Sequence, residues 1–269
     1  LEEVVGCQPD HAFATVKLGA CYLQRGILQE ESGEIDGAAA DYWLAVKTLQ
    51  AKLATEEAFL VGDRDYYLRL ALHKHVEKLV EKSGWDAGVA AFEAIQQAKP
   101  DDPYQWYQLA IIHLAAQDSD GYQRVCHEMV QRFGSSIEPQ VAERIVYACV
   151  LEPDAIEDLE QLTLFAELTV PSWKGNYRLL GAAAYRNGNY EAAIRHFDTA
   201  ADVAGRRAWD WLFLGMAYEQ TGQHANAQDA LNKATAWATT DGPTGNWGWT
   251  EQVETQHLLQ EARLLIVVE

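Results

Sequence analysis

YRLLGAAAYRNGNYEAAIRHFDTA (residues 177–200) is followed, thirty-four residues on, by WLFLGMAYEQTGQHANAQDALNKA (211–234). Placed in register, Tyr177, Leu180, Gly181, Ala184, Gly188, Tyr190, Ala193, Phe197 and Ala200 meet Trp211, Leu214, Gly215, Tyr218, Gly222, His224, Ala227, Leu231 and Ala234, and eight of these nine pairs keep similar chemistry. A fixed stride of this length marks a repeat architecture. Tyr177, Leu180, Gly181 and Ala184 fall at i, i+3, i+4 and i+7, one face of a helix. The glycine in that face leaves room for a neighbouring backbone. Asn187-Gly188-Asn189 and Thr221-Gly222-Gln223 read as turns in which glycine takes the left-handed conformation that ends a helix. Ala193, Phe197 and Ala200 place a small-large-small stripe on a second helix packed against the first, and that stripe is core.

The same frame extends backwards. Trp106, Leu109, Ala110 and His113 form a first helix starting near Pro103, and Leu72, His75, Val76 and Leu79 form another near Arg69, followed by Trp85, Val89, Phe92 and Pro100. A pair starting at 139 is degenerate: Ala142, Ile145, Val146 and Cys149 fit, but Pro153 stands for the turn glycine and Asp158 for a small residue. The first pair shows Leu18, Gly19 and Tyr22, then Gly33, Ile35, Ala38, Tyr42 and Ala45, with extra residues between Ile27 and Gly33. Its second helix is expected to run on through Leu53 and Ala58 to a break at Gly62. Beyond 240, a Gly/Trp-rich loop from Asp241 to Trp249 leads to a last helix ending Leu264-Leu265-Ile266, which should cap the final pair, since a terminal repeat otherwise exposes an apolar face.

This pattern resembles the tetratricopeptide repeat, strongly over 174–235 and more weakly over nearly all the rest. The resemblance implies an all-α, right-handed superhelix (solenoid) of antiparallel helix pairs. Residues 1–269 are then one array, with pairs at about 12–60, 69–102, 103–138, 139–173, 174–207 and 208–240 and a capping helix at about 249–268. In overall style the chain is similar to arrays in large bacterial signalling proteins such as serine/threonine kinase-like chains, which implies a bacterial, cytoplasmic setting. It begins Leu-Glu-Glu-Val, without an initiator methionine or a signal segment, and reads as a piece of a longer protein.

Composition narrows the function. Hydrophobic residues make up 48% of 269, enough for a continuous core. The net charge of −19 opposes binding to nucleic acid, whose affinity rests on cations meeting phosphates, and to an anionic membrane surface. No stretch reaches the roughly 18 apolar residues of a membrane span. Cys7, Cys21, Cys126 and Cys149 have no short paired spacing and read as buried thiols of a reducing compartment. His73 and His75 lie two apart on a helix and point about 200° away from one another, so they cannot share a metal. Cys126-His127 fails for the same reason. Asp118-Ser119-Asp120-Gly121 lacks the glycine and glutamate a calcium loop needs at its sixth and twelfth places, where Gln123 and Met129 stand, and reads as a turn. There is no phosphate loop, nucleophile elbow or zinc helix. The expectation is a protein that is not an enzyme and calls for no cofactor and no metal.

The resemblance also places the partner. In the repeat family the inner, concave line is formed by places 2, 5, 9, 12 and 13 of each first helix. Here those are Gly175, Arg178, Ala182, Tyr185 and Arg186; Trp209, Leu212, Met216, Glu219 and Gln220; Tyr104, Tyr107 and Ile111; and Glu143 and Tyr147. Aromatics and arginine are the usual interface anchors. Residues 174–207 hold six bases against three acids within an acidic chain, which suits an acidic or carboxylate-bearing peptide. The expected binding set is Tyr104, Tyr107, Tyr147, Arg178, Tyr185, Arg186, Trp209, Leu212 and Glu219. The asparagine of the co-chaperone carboxylate clamp is missing, its place being held by Ala182 or Met216. The function expected is a protein-binding or scaffolding module; the alternatives are a structural spacer or self-assembly element and, behind it, a small-molecule sensor or enzyme.

Overall fold

The computed structural model describes Glu2 and residues 11–50, 58–98, 101–240 and 249–266. Thirteen α-helices and no strand occur among them. They fall into two compact units, residues 1–100 and 101–269.

The N-terminal unit holds α1 (Ala12–Glu31), α2 (Ile35–Leu49), α3 (Ala58–Ser83) and α4 (Trp85–Ala98). α1 packs on α2 and α3, α2 on α3, and α3 on α4. Small residues set the approach of the first pair. A methyl group at Gly19 would lie 2.4 Å from Leu49 Cγ, and one at Gly26 would lie 2.6 Å from the Tyr42 ring. Of the extra residues between Ile27 and Gly33, Ile27 to Glu31 lengthen α1 and Ser32 and Gly33 make the turn that follows. Gly62 is a correction: it lies inside α3 and breaks nothing, and Ala58 belongs to the start of α3 rather than to an extension of α2. Residues 51–57, including Leu53, lie outside the described residues. Glycine is tolerated at position 62 because a long helix anchored by packing absorbs the roughly 1 kcal/mol that one glycine costs. The lengthened α1 and α3 are tied by charge. Glu30 accepts a hydrogen bond from the Tyr42 hydroxyl at 2.6 Å and pairs with Lys78 at 2.8 Å and Lys74 at 3.3 Å. Burial pushes its carboxyl up, but Lys78, Tyr42 and Lys74 together hold it down to about 2.

The C-terminal unit holds four pairs: α5 (Pro103–Ala115) with α6 (Ser119–Phe133), α7 (Pro139–Cys149) with α8 (Leu159–Thr169), α9 (Tyr177–Arg186) with α10 (Tyr190–Ala204), and α11 (Ala208–Gln220) with α12 (His224–Thr240). Proline at the first position of α5 and α7 costs no hydrogen bond, because that N–H has no partner within the helix. Asp102, Asp118, Asp158 and Asn189 cap α5, α6, α8 and α10 through side-chain oxygens. Asp158, which departs from the repeat pattern, is thus explained as a cap, and Asp118 serves the turn expected of it. The first helices touch in succession, α5 on α7, α7 on α9 and α9 on α11, and each also packs on its own second helix. This is the tetratricopeptide-type arrangement.

Gly188 and Gly222 take φ +73°, the left-handed turn that the repeat demands. The equivalent turn of the α5–α6 pair uses Gln117 at φ 59°. Of the cysteines, Cys126 and Cys149 are buried, whereas Cys21 is exposed, correcting the expectation of buried thiols throughout; Cys7 lies outside the described residues. No described helix is long and apolar enough to cross a membrane.

The last helix, α13 (Trp249–Leu265), packs against α11 and α12, as a cap should, but it also reaches back to α5. The loop expected before it, 241–248, lies outside the described residues.

The glycines of the two strongest repeats are not equivalent. A methyl group at Gly181 would meet the fully buried Phe197 ring at 2.7 Å, while at Gly215 it would meet only the Ile266 methyl at 3.2 Å and the Ala227 carbonyl at 3.3 Å. Gly181→Ala is expected to lose about 1–2 kcal/mol of stability, overpacking outweighing the gain in helix propensity, and Gly215→Ala to stay within about 0.5 kcal/mol of wild type. Thermal melts of the two variants check this; equal stabilities would contradict the close approach at Gly181.

Candidate functional site

The first helices of the C-terminal unit carry a continuous file of rings. Tyr104 lies 5.8 Å from Tyr107 on α5, Tyr107 6.4 Å from Tyr147 on α7, and Tyr147 5.9 Å from Trp209 on α11. Trp209 meets Phe213 edge-on at 4.7 Å, and Phe213 meets Tyr185 of α9 at 5.5 Å. Aromatic pairs at such spacings add about 0.5–1.5 kcal/mol each beyond their burial. Arginines lie along the file: Arg144 is 5.1 Å from the Tyr104 ring centre, and Arg186 is 5.3 Å from that of Phe213.

This face is covered by α13. Thr250, Val253, Glu254, Leu258 and Ala262 recur at helical spacing on its buried side, with Trp249 and Thr255 beside them. Three carboxylates on the same side make the polar contacts. Glu254 accepts a hydrogen bond from the Tyr107 hydroxyl at 2.6 Å. Glu261 receives two from Arg186, at 2.5 and 2.7 Å. Glu251 stands 3.9 Å from Arg207, a long ion pair rather than a hydrogen bond. His257 lies 3.7 Å from Glu152.

Arg186 is the pivot of the site. Its side chain is 2% exposed, and besides Glu261 it donates to the Val150 carbonyl at 2.6 Å and the Leu151 carbonyl at 2.8 Å. One guanidinium therefore joins the end of α9, the turn after α7, and α13. Such planar, bidentate geometry suits arginine and not lysine.

Arg178 lies beneath the face, buried, and pairs with Asp210 at 3.5 Å. It also donates to the Gly175 and Gly205 carbonyls at 3.3 and 3.4 Å. Its Nη1 and the Trp209 Nε1 are buried with no hydrogen-bond partner among the described residues. Arg178 and Trp209 share with Tyr147, Arg207, Glu251 and Glu254 a cavity of about 20 Å³, space for a single water molecule.

Burial governs the titration of this site. It pushes Glu254 up to about 8, against the lowering effect of the Tyr107 hydrogen bond, with Glu251 adding to the rise and Arg144 and Arg207 opposing it. It pushes Glu251 up to about 7, opposed by Arg207 and Arg178. Tyr147 rises to about 12 and Tyr107 well above its ordinary value, again chiefly through burial.

Of the nine residues expected to bind a partner, Tyr104, Tyr107, Tyr147, Tyr185, Arg186 and Trp209 converge on the covered face. Leu212 is in the interior and Arg178 under the face. Glu219 stands apart beside the α11–α12 turn, paired with His224 at 2.9 Å. Sequence reasoning missed Arg144, Arg207 as an individual contact, and the contacts of α13 with this face, although the helix itself was expected as a cap. A signal existed: Glu251, Glu254 and Glu261 are spaced i, i+3 and i+10, one side of a helix. Among the described residues, no group of three or more His, Cys, Asp or Glu is placed to hold a metal ion.

No protein-family model matches the chain, and no curated protein does. Solved structures are similar in fold. A tetratricopeptide repeat protein from Parabacteroides merdae matches with a TM-score of 0.54 at 9% identity, over 97% of this chain and 89% of that one. A thermophilic TPR protein from Thermus thermophilus matches with a TM-score of 0.47 at 18% identity, over 72% and 98%. The Cut9–Hcn1 structure of the APC/C matches with 0.49 at 12%, over 97% and 44%. At 9% identity the likeness to the Parabacteroides merdae protein shows the fold alone.

The buried carboxylates make stability depend on pH. Unfolded, Glu254 ionises near 4.5; folded, near 8. The folded state thus keeps a proton the unfolded state has lost, and its advantage, full below about 4.5, is lost as pH rises through about 8. His73, His75, His196 and His257, lowered by burial, act in the opposite sense, but only below about 6.5. Between about pH 6.5 and 8 the melting temperature is expected to fall by several degrees, and less so in Glu254→Gln, which stays neutral and can still accept from Tyr107. Parallel slopes for the two proteins would show that Glu254 is not buried under α13.

Proposed function

We propose that this chain is a protein-binding module whose recognition surface is the first-helix face of its C-terminal unit. The observation that carries the reading is α13 itself: rings and arginines expected to grip a partner are gripping a helix. A face that seats one amphipathic helix through Arg186, Tyr107 and the surrounding apolar surface has the shape and chemistry to seat another. Binding sites of this kind draw most of their energy from a few aromatic and arginine anchors, and those residue types are gathered here. The tetratricopeptide-type fold supports the reading, since a layer of parallel first helices offers an extended surface without needing a pocket. No catalytic role is proposed.

Tyr104 and Arg144 are half-buried at the rim of this face, where their removal should leave the core intact. Affinity capture from extract of the source cells, using the intact chain and a Tyr104→Ala/Arg144→Ala variant of matching melting temperature, tests the proposal. At least about tenfold lower recovery of the bound protein is expected with the variant, as loss of about 1.4 kcal/mol implies. Equal recovery would place the binding surface elsewhere. Light scattering across concentration separates this reading from self-assembly: growth in mass with concentration, and no captured partner, would favour the latter.

A further inference from the structure

We infer that α13 is an exchangeable internal ligand, and that the partner of this face is an acidic amphipathic helix carrying carboxylates at i, i+3 and i+10. This deepens the proposed function and rests on it.

Four observations carry the inference. First, the cations on the face, Arg144, Arg186 and Arg207, belong to a chain of net charge −19, so the positive patch is local and faces α13, with Arg178 beneath it already paired with Asp210. Second, Arg186 cannot be left without a carboxylate. With a side chain 2% exposed and two of its contacts neutral carbonyls, removal of Glu261 leaves a buried charge uncompensated. Any helix that replaces α13 has to bring an acid to that point. Third, α13 fits imperfectly. Glu251 stops 3.9 Å from Arg207, outside hydrogen-bond reach, and Arg178 and Trp209, which line the same cavity, keep a buried Nη1 and Nε1 with no hydrogen-bond partner among the described residues. A guest acid brought closer to Arg207 would make the hydrogen bond that Glu251 does not. Fourth, α13 buries Glu254, a carboxyl whose desolvation weakens its own docking. These features describe a helix held well enough to cover the face and loosely enough to leave it.

Tethering explains why a weak internal ligand suffices. α13 follows α12 after only residues 241–248, so its effective concentration at the face is on the order of millimolar, and a free helix has to exceed that.

The probe is a fluorescent synthetic peptide of residues 249–266, titrated by anisotropy against two full chains, wild type and Glu254→Lys/Glu261→Lys. In the variant the two lysines of α13 oppose Arg186, Arg144 and Arg207, so its own helix should leave the face. The variant is expected to bind the peptide at least about 30-fold more tightly than wild type. The same peptide bearing Glu254→Lys and Glu261→Lys should fail to bind, and one bearing Val253→Ser and Leu258→Ser should also fail. Equal affinity for both chains, or tight binding by the charge-reversed peptide, overturns the inference. Should the variant misfold by circular dichroism, hydrogen exchange decides on the wild-type chain. Excess unlabelled peptide should speed exchange of the α13 amides severalfold, and unchanged exchange at saturating peptide overturns exchangeability. The two proposals fail separately: loss of captured protein in the Tyr104→Ala/Arg144→Ala variant, with no peptide exchange, keeps the recognition surface and removes only the internal-ligand role.

Discussion

A single guanidinium, that of Arg186, fixes what the C-terminal unit can do. An arginine keeps its charge at any physiological pH, so one that is withdrawn from water needs acceptors for its N–H groups and a nearby anion. Two acceptors are carbonyls that the α7–α8 turn leaves free, Val150 and Leu151, and the anion is Glu261. The turn supplying those carbonyls departs from the repeat pattern, with Pro153 where a glycine would stand. The degenerate pair in the middle of the array therefore coincides with the anchor of the terminal helix: an irregular turn exposes carbonyls that a regular one would direct elsewhere.

The fold was legible because its spacing is imposed by steric contact. Wherever two helices nearly touch, the residue between them must be small, and that requirement repeats with the helix pair. Gly181 against Phe197 and Gly19 against Leu49 are direct expressions of it. The turn glycines at positive φ are a second, independent expression. Legibility failed where neither requirement applies. Gly62 lies in an exposed part of α3 with nothing within 4 Å of a would-be methyl group, so it reports no contact and no turn. Reading it as a break assigned Ala58 to the wrong helix. Gln117 shows the converse, a turn that keeps the left-handed conformation without the residue that announces it.

The site was legible in part. The family's inner line collected the right rings, because positions facing inward on successive first helices are fixed by the same stride that fixes the core. It did not reveal that the rings are covered. That information lies in the scarcity of charge on two helices. α5 is buried from Gln105 to Leu114, and α11 from Ala208 to Ala217 apart from Trp211. A helix whose inner side faced water would keep a polar stripe there, whereas one apolar all round is enclosed all round. Pro103–Ala115 carries no Asp, Glu, Lys or Arg and Ala208–Gln220 only Asp210 and Glu219, and Gln105, Gln108 and His113 are buried with the apolar residues, so more than one side of each helix is enclosed. The acids of the last helix, on one side at 251, 254 and 261, are what meets the cations and the Tyr107 hydroxyl of this face.

That enclosure also limits how the face can act. Trp209, Leu212, Phe213 and Tyr107 are each less than a tenth exposed with α13 in place. Uncovering apolar surface costs about 25 cal/mol for each Å², and freeing Arg186 adds the loss of its two hydrogen bonds to Glu261. A bare face is therefore a high-energy state, and a partner that waited for it would bind weakly in proportion to its rarity. A partner that enters as α13 leaves meets a smaller barrier, because each apolar contact and each carboxylate is replaced as it is lost. Recognition on such a surface selects for the same two properties that hold the internal helix, an apolar stripe and acids at fixed intervals. The covering helix thus acts as a filter as well as a lid: only a guest that reproduces its pattern gains enough at the face to repay displacing it.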